Sequence, residues 1–347
     1  MSVKIGLGIN YAGGFKEVVS EVADLEKAGL DVVFVPEAYS FDAISALGYL
    51  AAATERVELA SGVLQLYTRT PTLTAMTAAG LDYVSDGRYI LGLGASGPQV
   101  IEGFHGVPYD SPIGRTREVV EICRQVWRRE RLAYQGKHYT IPLPEGQGTG
   151  LGKSLKLINH PVRERIPVLL AALGPKNVEL AAEIAEGWQP IFYMPEKAKD
   201  VWGDALAAGY AKRDATLPPL DIYAGPALAI GDNVEGMREF IKPHIALYIG
   251  GMGAKGKNFY HNVATKYGYG AEADRIQELY LAGDKDGAAK VVPDELVRDI
   301  SLIGSREFVK ERVAAFREAG VTVLNVVPMG ATTADRVKLI AELRELV

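Results

Sequence analysis

Two hydrophobic patterns alternate along the chain. Short runs are apolar at nearly every position: "VVFV" (32–35), "YILGLG" (89–94), "VLLA" (168–171) and "VLNVV" (323–327). Between them lie longer stretches in which apolar residues recur every three or four positions, the spacing of a helix with one buried face. Uninterrupted apolar runs are how parallel strands read when both faces of their sheet are covered. The pattern predicts strands over 3–9, 32–35, 57–64, 89–94, 167–172, 188–192, 221–230 and 321–327. It predicts helices over 15–28, 41–53, 71–85, 113–130, 175–186, 196–213, 233–247 and 332–346.

The junctions repeat as well. "EKAGLDVVFVPE" (26–37), "VSDGRYILGLG" (84–94), "AEGWQPIFYMP" (185–195) and "REAGVTVLNVVP" (317–328) each read as a helix end, a glycine and a strand. Glycine accepts the left-handed conformation that closes many helices, so Gly29, Gly87, Gly187 and Gly320 are expected helix stops. Strand and helix alternate throughout without a break in composition. This points to one α/β domain spanning 1–347, and eight units fit a (β/α)8 TIM barrel. Two insertions interrupt the alternation. Residues 131–165, between helix four and strand five, read as a loop with a small hairpin; residues 250–303, before the last strand, read as extra helices.

Composition narrows the partners. The 347 residues are 48% hydrophobic and carry a formal charge of −5 with interspersed signs. That argues against nucleic acid and against an anionic membrane surface. Cys123 is the single cysteine, so no disulfide framework or cysteine metal cluster is expected. The histidines, His105, His138, His160, His244 and His261, lack metal-binding spacing, and no metal site is expected. The first residues lack a signal-type apolar run, and no stretch approaches the ~20 apolar residues of a membrane helix. A soluble cytoplasmic protein is the expectation.

A barrel of this kind carries its active site at the C-terminal strand ends. Those ends read "GINY" (8–11), "PEAY" (36–39), "SGVLQLYTR" (61–69), "GASGPQ" (94–99), "AALGPKN" (171–177), "FYMP" (192–195), "AGPAL" (224–228) and "VVPMG" (326–330). They are rich in glycine and proline and poor in charge, which suits a flat, partly apolar ligand lying against backbone. Gly62 inside a strand marks a bulge or a close approach. In "AALGPKN", Pro175 suits the first position of a helix, Gly174 leaves room beside it, and Lys176 and Asn177 open the turn. A helix start of this kind holds phosphate, and Lys176 is a cation where the helix dipole alone would favour an anion. "GLGASG" (92–97) matches a dinucleotide fingerprint, but no acidic residue closes a strand about 20 residues later, as that fold requires. Glu37 ends an apolar strand at the mouth, as a general acid or base, an ion-pair partner or a helix cap.

These strand ends resemble the luciferase-like flavin and deazaflavin oxidoreductases, in particular those dependent on coenzyme F420. The markers are "AGLDVVFVPE", "LASGVLQLYTRTP", "VSDGRYILGLGASG", "IPVLLAALGPKNVELAAEIAEGW" and "VPDELVRDISLIGS", spread over the whole chain. The resemblance implies a (β/α)8 barrel, commonly a homodimer. It implies a cis peptide between Gly62 and Val63 behind the deazaflavin ring, with Gly94, Ala95 and Ser96 bordering that ring. It implies a cofactor phosphate on Leu173, Gly174, Pro175, Lys176 and Asn177. Lys153, Lys156, Arg163 and Arg165 are candidates for its anionic tail. Two departures bear on the substrate. Glu37-Ala38 stands where sugar-phosphate and secondary-alcohol dehydrogenases and the pterin reductase carry Asp-His. Gly97-Pro98 stands where the sugar-phosphate enzyme has a catalytic glutamate.

The resulting reading is an F420-dependent oxidoreductase that moves a hydride between the deazaflavin C5 and a small organic substrate. Glu37 is the candidate proton carrier, with Tyr39, Tyr67 and His105 near it along the strand ends. The alternatives are an FMN-dependent monooxygenase of the same fold and a non-catalytic F420-binding protein.

Overall fold

The computed structural model describes residues 3–9, 14–253 and 255–347; Asn10 and Tyr11 of the first strand end lie outside them. Eight parallel strands form the barrel: β1 (Lys4–Gly8), β2 (Val32–Val35), β3 (Glu58–Ser61), β4 (Tyr89–Gly94), β5 (Val168–Ala171), β6 (Gly187–Gln189), β7 (Asp221–Ala224) and β8 (Val323–Pro328). Each pairs with the next, and β8 returns to β1 with Lys4 opposite Val323 and Gly6 opposite Asn325. The outer ring contains α1 (Phe15–Lys27), α2 (Ala43–Ala53), α3 (Pro71–Val84), α4 (Pro112–Trp127), α5 (Pro175–Ile184), α6 (Ala198–Tyr210), α7 (Arg306–Glu318) and α8 (Thr333–Arg344). No helix among the described residues is long and apolar enough to cross a membrane.

Helix stops behave as expected at three of the four glycines. Gly29, Gly87 and Gly320 take φ values of 108°, 80° and 91°. Gly187 does not: α5 ends at Ile184, and Gly187 opens β6. The reason is packing, since a Cβ there would stand 2.7 Å from the Tyr223 ring. The expected strand 221–230 is broken. Gly225-Pro226 separates β7 from a second strand, Ala227–Ile230, which pairs with Leu302–Gly304 and with the end of β8. Pro226 has no N–H for a ladder, and its carbonyl accepts from Val327 N–H at 3.0 Å. The stretch expected as helix 233–247 is a 3₁₀ turn, Glu235–Phe240, and then a helix, Lys242–Gly251, with Pro243 in its first turn. The first insertion carries a hairpin that pairs Tyr134–Gln135 with Thr140–Ile141. The second holds the helices Phe259–Lys266, Gly270–Leu281, Lys285–Val291 and Asp294–Asp299.

Inside the barrel, Val32, Phe34, Ala60, Ile90, Leu169, Tyr223 and Val323 form one buried cluster. Burying a side chain of the Val, Leu or Phe class contributes about 1.5–3 kcal/mol. The Phe34 and Tyr223 rings meet edge to face with centroids 5.7 Å apart. They fit because the strands around them drop their side chains. A Cβ at Gly6 would lie 2.8 Å from Phe34, and one at Gly62 2.9 Å from it. The aromatic pair closes the lumen from below.

Candidate active site

Side chains alternate along a strand, so the residues above the lumen cluster can be read by twos. Above Ala60, Ile90, Leu169, Tyr223 and Val323 come Gly62, Gly92 and Gly94, Ala171, Gly225 and Asn325. Gly187 likewise leads to Gln189, and Gly6 to Gly8. The mouth is therefore a basin floored largely by backbone, with few side chains to obstruct a flat ligand. Among the described residues, four buried polar atoms near this end have no hydrogen-bond partner: Gln65 Oε1, Gln189 Oε1, Asn325 Oδ1 and His105 Nε2. A buried polar atom without a partner costs free energy, so an atom of this kind at a mouth points to a ligand.

Strand three supplies one wall. It stops at Ser61 and resumes at Leu64–Gln65, which pair with Leu93 and Gly94 of β4. The interruption is the bulge at Gly62–Val63, and that peptide is cis. Val63 lies over β4: a Cβ at Gly94 would come within 2.6 Å of its Cγ2. Gly92 permits an even closer approach, since a Cβ there would stand 1.8 Å from the Ser61 carbonyl oxygen. The Ser61 hydroxyl locks this contact. It accepts from Gly92 N–H at 2.8 Å and donates to the Gly92 carbonyl at 2.9 Å. Gly92 and Gly94 of "GLGASG" thus serve strand packing in a closed barrel, and Gly97 caps the short helix Pro98–Ile101.

A second wall, two strands on, is the turn into α5. Two indoles fix it. Trp188 Nε1 donates to the Ala172 carbonyl at 2.9 Å, and Trp202 Nε1 donates to the Leu173 carbonyl at 3.2 Å. Gly174 is the N-cap residue and Pro175 the first helical residue. Asn177 N–H is not free for a ligand; it donates to the Gly174 carbonyl at 3.0 Å, a first-turn bond. Lys176 is exposed at the helix start. Phe259, from the second insertion, packs on Gly174, where a Cβ would lie 3.0 Å from its ring.

A cleft of about 350 Å³ opens beside the bulge, with Glu37, Ala38, Asp42, Arg69, Leu73, Phe104 and His105 in its lining. Gly62 N–H donates to the Val35 carbonyl at 2.8 Å, which brings Glu37 next to the bulge. Glu37 forms a two-pronged ion pair with Arg69, Nη1–Oε1 2.6 Å and Nη2–Oε2 2.8 Å. It also accepts from Ala43 N–H at 3.0 Å, at the start of α2. Glu37 is thus both ion-pair partner and helix anchor, and its hydrogen bonds hold the Arg69 guanidinium firmly protonated. Burial pushes the Asp42 carboxyl up. Hydrogen bonds from Ser45 and Ile44, with Arg69 nearby, outweigh that and hold it below the ordinary carboxylate range. The Phe104 ring meets the His105 imidazole edge-on, centroids 5.1 Å apart. A larger groove, about 460 Å³, lies at the other end of the barrel, lined by charged residues that include Lys4, Glu26, Arg56 and Glu58. The strand ends that bear the orphan atoms and the bulge make the barrel mouth, with the smaller cleft at its edge, the candidate site.

The structure brings Gly62, Val63, Gly94 and Glu37 together on one side of the mouth and sets Leu173–Asn177 on the strand-five side. Ser96, just past Gly94, takes φ 58° and receives the Tyr109 hydroxyl on its carbonyl at 3.3 Å. Tyr67 turns away from the cleft. Its hydroxyl donates to the Asp110 carbonyl at 2.7 Å, its ring meets Tyr109 at a tilt with centroids 5.1 Å apart, and burial pushes its phenol up. Tyr39 is exposed beside Phe104. Arg163 is committed at the bottom of the barrel, to the Asp82 carboxylate and to the Tyr89 carbonyl at 2.7 Å, and Arg165 bonds the Thr216 carbonyl at 3.0 Å. Neither faces the mouth, so they are withdrawn as partners for an anionic tail. Sequence reading missed Arg69, Gln65, Gln189 and Asn325. Gln65 and Gln189 were each legible as a polar residue near an apolar strand's C-terminal end.

Residues 1–323 match the family model for luciferase-like monooxygenases. Among curated proteins, a Mycobacterium tuberculosis protein named as a coenzyme F420-dependent oxidoreductase is 43% identical over 98% of this chain and 99% of its own. The 5,10-methylenetetrahydromethanopterin reductase of Archaeoglobus fulgidus is 27% identical over 96% and 97%. Among solved structures, the coenzyme F420-dependent tetrahydromethanopterin reductase of Methanopyrus kandleri aligns with a TM-score of 0.82 at 22% identity, covering 98% of both chains. An F420-dependent secondary alcohol dehydrogenase aligns at 0.75, with 16% identity and 100% of this chain covered. The chain belongs to the luciferase-like monooxygenase family, and a relative matched over nearly its whole length is named as a coenzyme F420-dependent oxidoreductase.

Proposed function

We propose that this protein is an oxidoreductase that uses coenzyme F420 to exchange a hydride with a small organic substrate at the barrel mouth. The observation that carries the reading is the glycine-floored basin between the Gly62–Val63 bulge and the α5 start, in a chain whose relatives are F420-dependent. The residues present fit the cofactor. Glycines leave the floor open, while Gln65, Gln189 and Asn325 hold buried oxygens without donors, as the N–H edge of a planar heterocycle would require. Gly62, Val63, Gly94, Ala95 and Ser96 would border the ring. Leu173, Gly174, Pro175, Lys176 and Asn177 would hold the phosphate through the helix start and the lysine. When bound, the deazaflavin supplies the hydride.

The protein's own part is to orient the partners, exclude water and manage the accompanying proton. Glu37 is retained in the proposal with both oxygens on Arg69: any proton it carries must pass through a break in that pair. The homodimer expected from the resemblance is part of the same proposal.

The test is fluorescence titration of the apo-protein with F420 and, separately, with FMN. F420 is expected to bind at least tenfold tighter. Equal affinities, or a preference for FMN, would overturn the cofactor assignment in favour of a flavin monooxygenase.

A further inference from the structure

The first insertion carries a surface that the barrel mouth does not use. Residues 154–158 run alongside the chain that leaves α4. Leu132 N–H donates to the Leu155 carbonyl and the Ser154 hydroxyl to the Leu132 carbonyl, both at 2.8 Å. Arg129 donates through Nε to the Leu157 carbonyl at 3.2 Å and through Nη2 to the Ile158 carbonyl at 3.4 Å. Arg131 donates to the Ser154 carbonyl at 3.3 Å. The backbone of this strip is thus held in place, and Leu157 packs against the core. Leu155 and Ile158 do the opposite. With Leu143, Leu151 and Val162 they are between 51% and 90% exposed. Aliphatic side chains held out in water in this number mark an interaction surface.

Charge selects the partner. From Arg131 to Arg163 the sequence has five lysines and arginines and one acid, Glu145, in a chain whose net charge is −5. Arg129, Arg131, Lys153 and Lys156 adjoin the strip, and none of them forms an ion pair among the described residues; Glu130 is taken by Arg128. The partner is therefore anionic as well as apolar. Shape decides which kind. The loop from Pro142 to Gly152 closes on itself, a Cβ at Gly152 standing 3.8 Å from Pro142, and open space surrounds Gly146 and Gly150. A loop that projects in this way offers no groove to a rigid protein. Residues 142–162 include no Phe, Tyr or Trp to stack on a nucleic-acid base. A fluid bilayer interface takes in projecting aliphatic side chains while lysine and arginine reach its phosphates. We propose that the insertion docks the protein on an anionic lipid surface, with Leu151, Leu155 and Ile158 entering the interface and Arg129, Arg131, Lys153 and Lys156 on the headgroups. α4 returns the chain to the start of β5, so the strip stands at the end of the barrel away from the mouth, and docking leaves the mouth open to solvent. Lys153 and Lys156 serve this patch rather than the α5 turn.

The test is co-sedimentation of the purified protein with vesicles in about 0.1 M salt, where charges within about 10 Å of the surface still act. Vesicles of three parts phosphatidylcholine to one part phosphatidylglycerol are expected to bind at least tenfold tighter than vesicles of phosphatidylcholine alone. Leu151→Ser with Ile158→Ser removes the aliphatic contact without changing the charge. That variant should bind the anionic vesicles at least fivefold more weakly and unfold at the wild-type midpoint, since both side chains are exposed. Lys153→Glu with Lys156→Glu should weaken the same binding at least tenfold. Equal binding to both kinds of vesicle, binding to neither, or wild-type binding by either variant overturns the proposal. So does poly-L-glutamate bound as tightly as the anionic vesicles, which would make the partner an acidic protein. A Leu151→Ser, Ile158→Ser protein whose oligomeric state in light scattering differs from wild type overturns it too, because the strip would then be a contact between copies of the chain.

Discussion

Glu37 illustrates what a single residue can disclose and what it cannot. Its position at the end of an apolar strand was legible, because strand ends at a barrel mouth are where charge is informative. Its partner was not, since Arg69 lies on another strand's exit and only closure of the barrel brings them together. The pair is largely buried, with 8% of the Glu37 side chain and 14% of Arg69 exposed. Glu37→Gln would leave the guanidinium without its counter-charge, at an expected cost of about 3 kcal/mol. Denaturant unfolding measures that cost. Glu26, at the bottom of the barrel, gives a pH prediction. Burial raises its carboxyl, but hydrogen bonds from the Val57, Arg56 and Glu55 N–H groups outweigh this and hold it below its ordinary value of 4.5. Its contribution is therefore fully present above about pH 4.5 and disappears as pH falls through the lower folded value. Glu26→Gln should be less stable than wild type near pH 7 by about 2 kcal/mol. The gap should narrow steadily in titrations taken below pH 4.5; a constant gap would remove the ionised carboxylate from the account.

Elements were legible where local sequence decides them and opaque where a distant residue does. The strand-three bulge could be read from Gly62, because glycine inside an apolar strand has few other uses. Gly187 misled for the same reason: nothing nearby in sequence says that Tyr223 needs the space. That packing also bounds what Gly62 can test. Phe34 presses on it from below, 2.9 Å from where a Cβ would stand, so a large residue at 62 would disturb the core as well as the mouth. The α5 turn is the better probe of cofactor binding, since its supports are separable. Lys176 is exposed and can be reversed in charge at little cost to the fold. Lys176→Glu should weaken F420 at least tenfold, the equivalent of about 1.5–3 kcal/mol for one charge-assisted contact. Trp202→Phe retains an aromatic ring beside Tyr193 but loses the indole bond to Leu173. Its F420 affinity should fall about threefold, corresponding to part of one neutral hydrogen bond. Titrations of both variants against the wild type decide this. If neither changes the affinity, the phosphate does not rest on α5.

At the scale of the whole molecule, one face of the barrel is unlike the rest. The outward side of α3 presents Leu73, Met76, Gly80, Tyr83 and Val84, and the adjoining α2 presents Ser45, Tyr49 and Ala52. Leu73, Met76, Tyr83 and Val84 are between 47% and 67% exposed, and Tyr49 is 52% exposed. Neither helix carries a charge on this side; the one charged residue in the pair, Asp82, is fully buried. A helix facing water normally carries charge on its outer side, and a contiguous apolar face of this kind marks an interaction surface. A second copy of the chain is the simplest occupant, because a twofold axis lets the same patch cover itself. The small residues Gly48 and Gly80 have open space above them, which would let helices approach closely. Leu73 lies both on this face and in the cleft lining, so pairing here would shield the cleft as well as the helices. The expected outcome is a homodimer in light scattering after size exclusion at micromolar concentration. Met76→Asp sets two like charges near each other across the axis, and it should convert the protein to a folded monomer whose F420 affinity is retained, because the α5 turn is on another side of the barrel. A wild-type protein that runs as a monomer, or a Met76→Asp variant that remains dimeric, would show that this apolar face is not the contact.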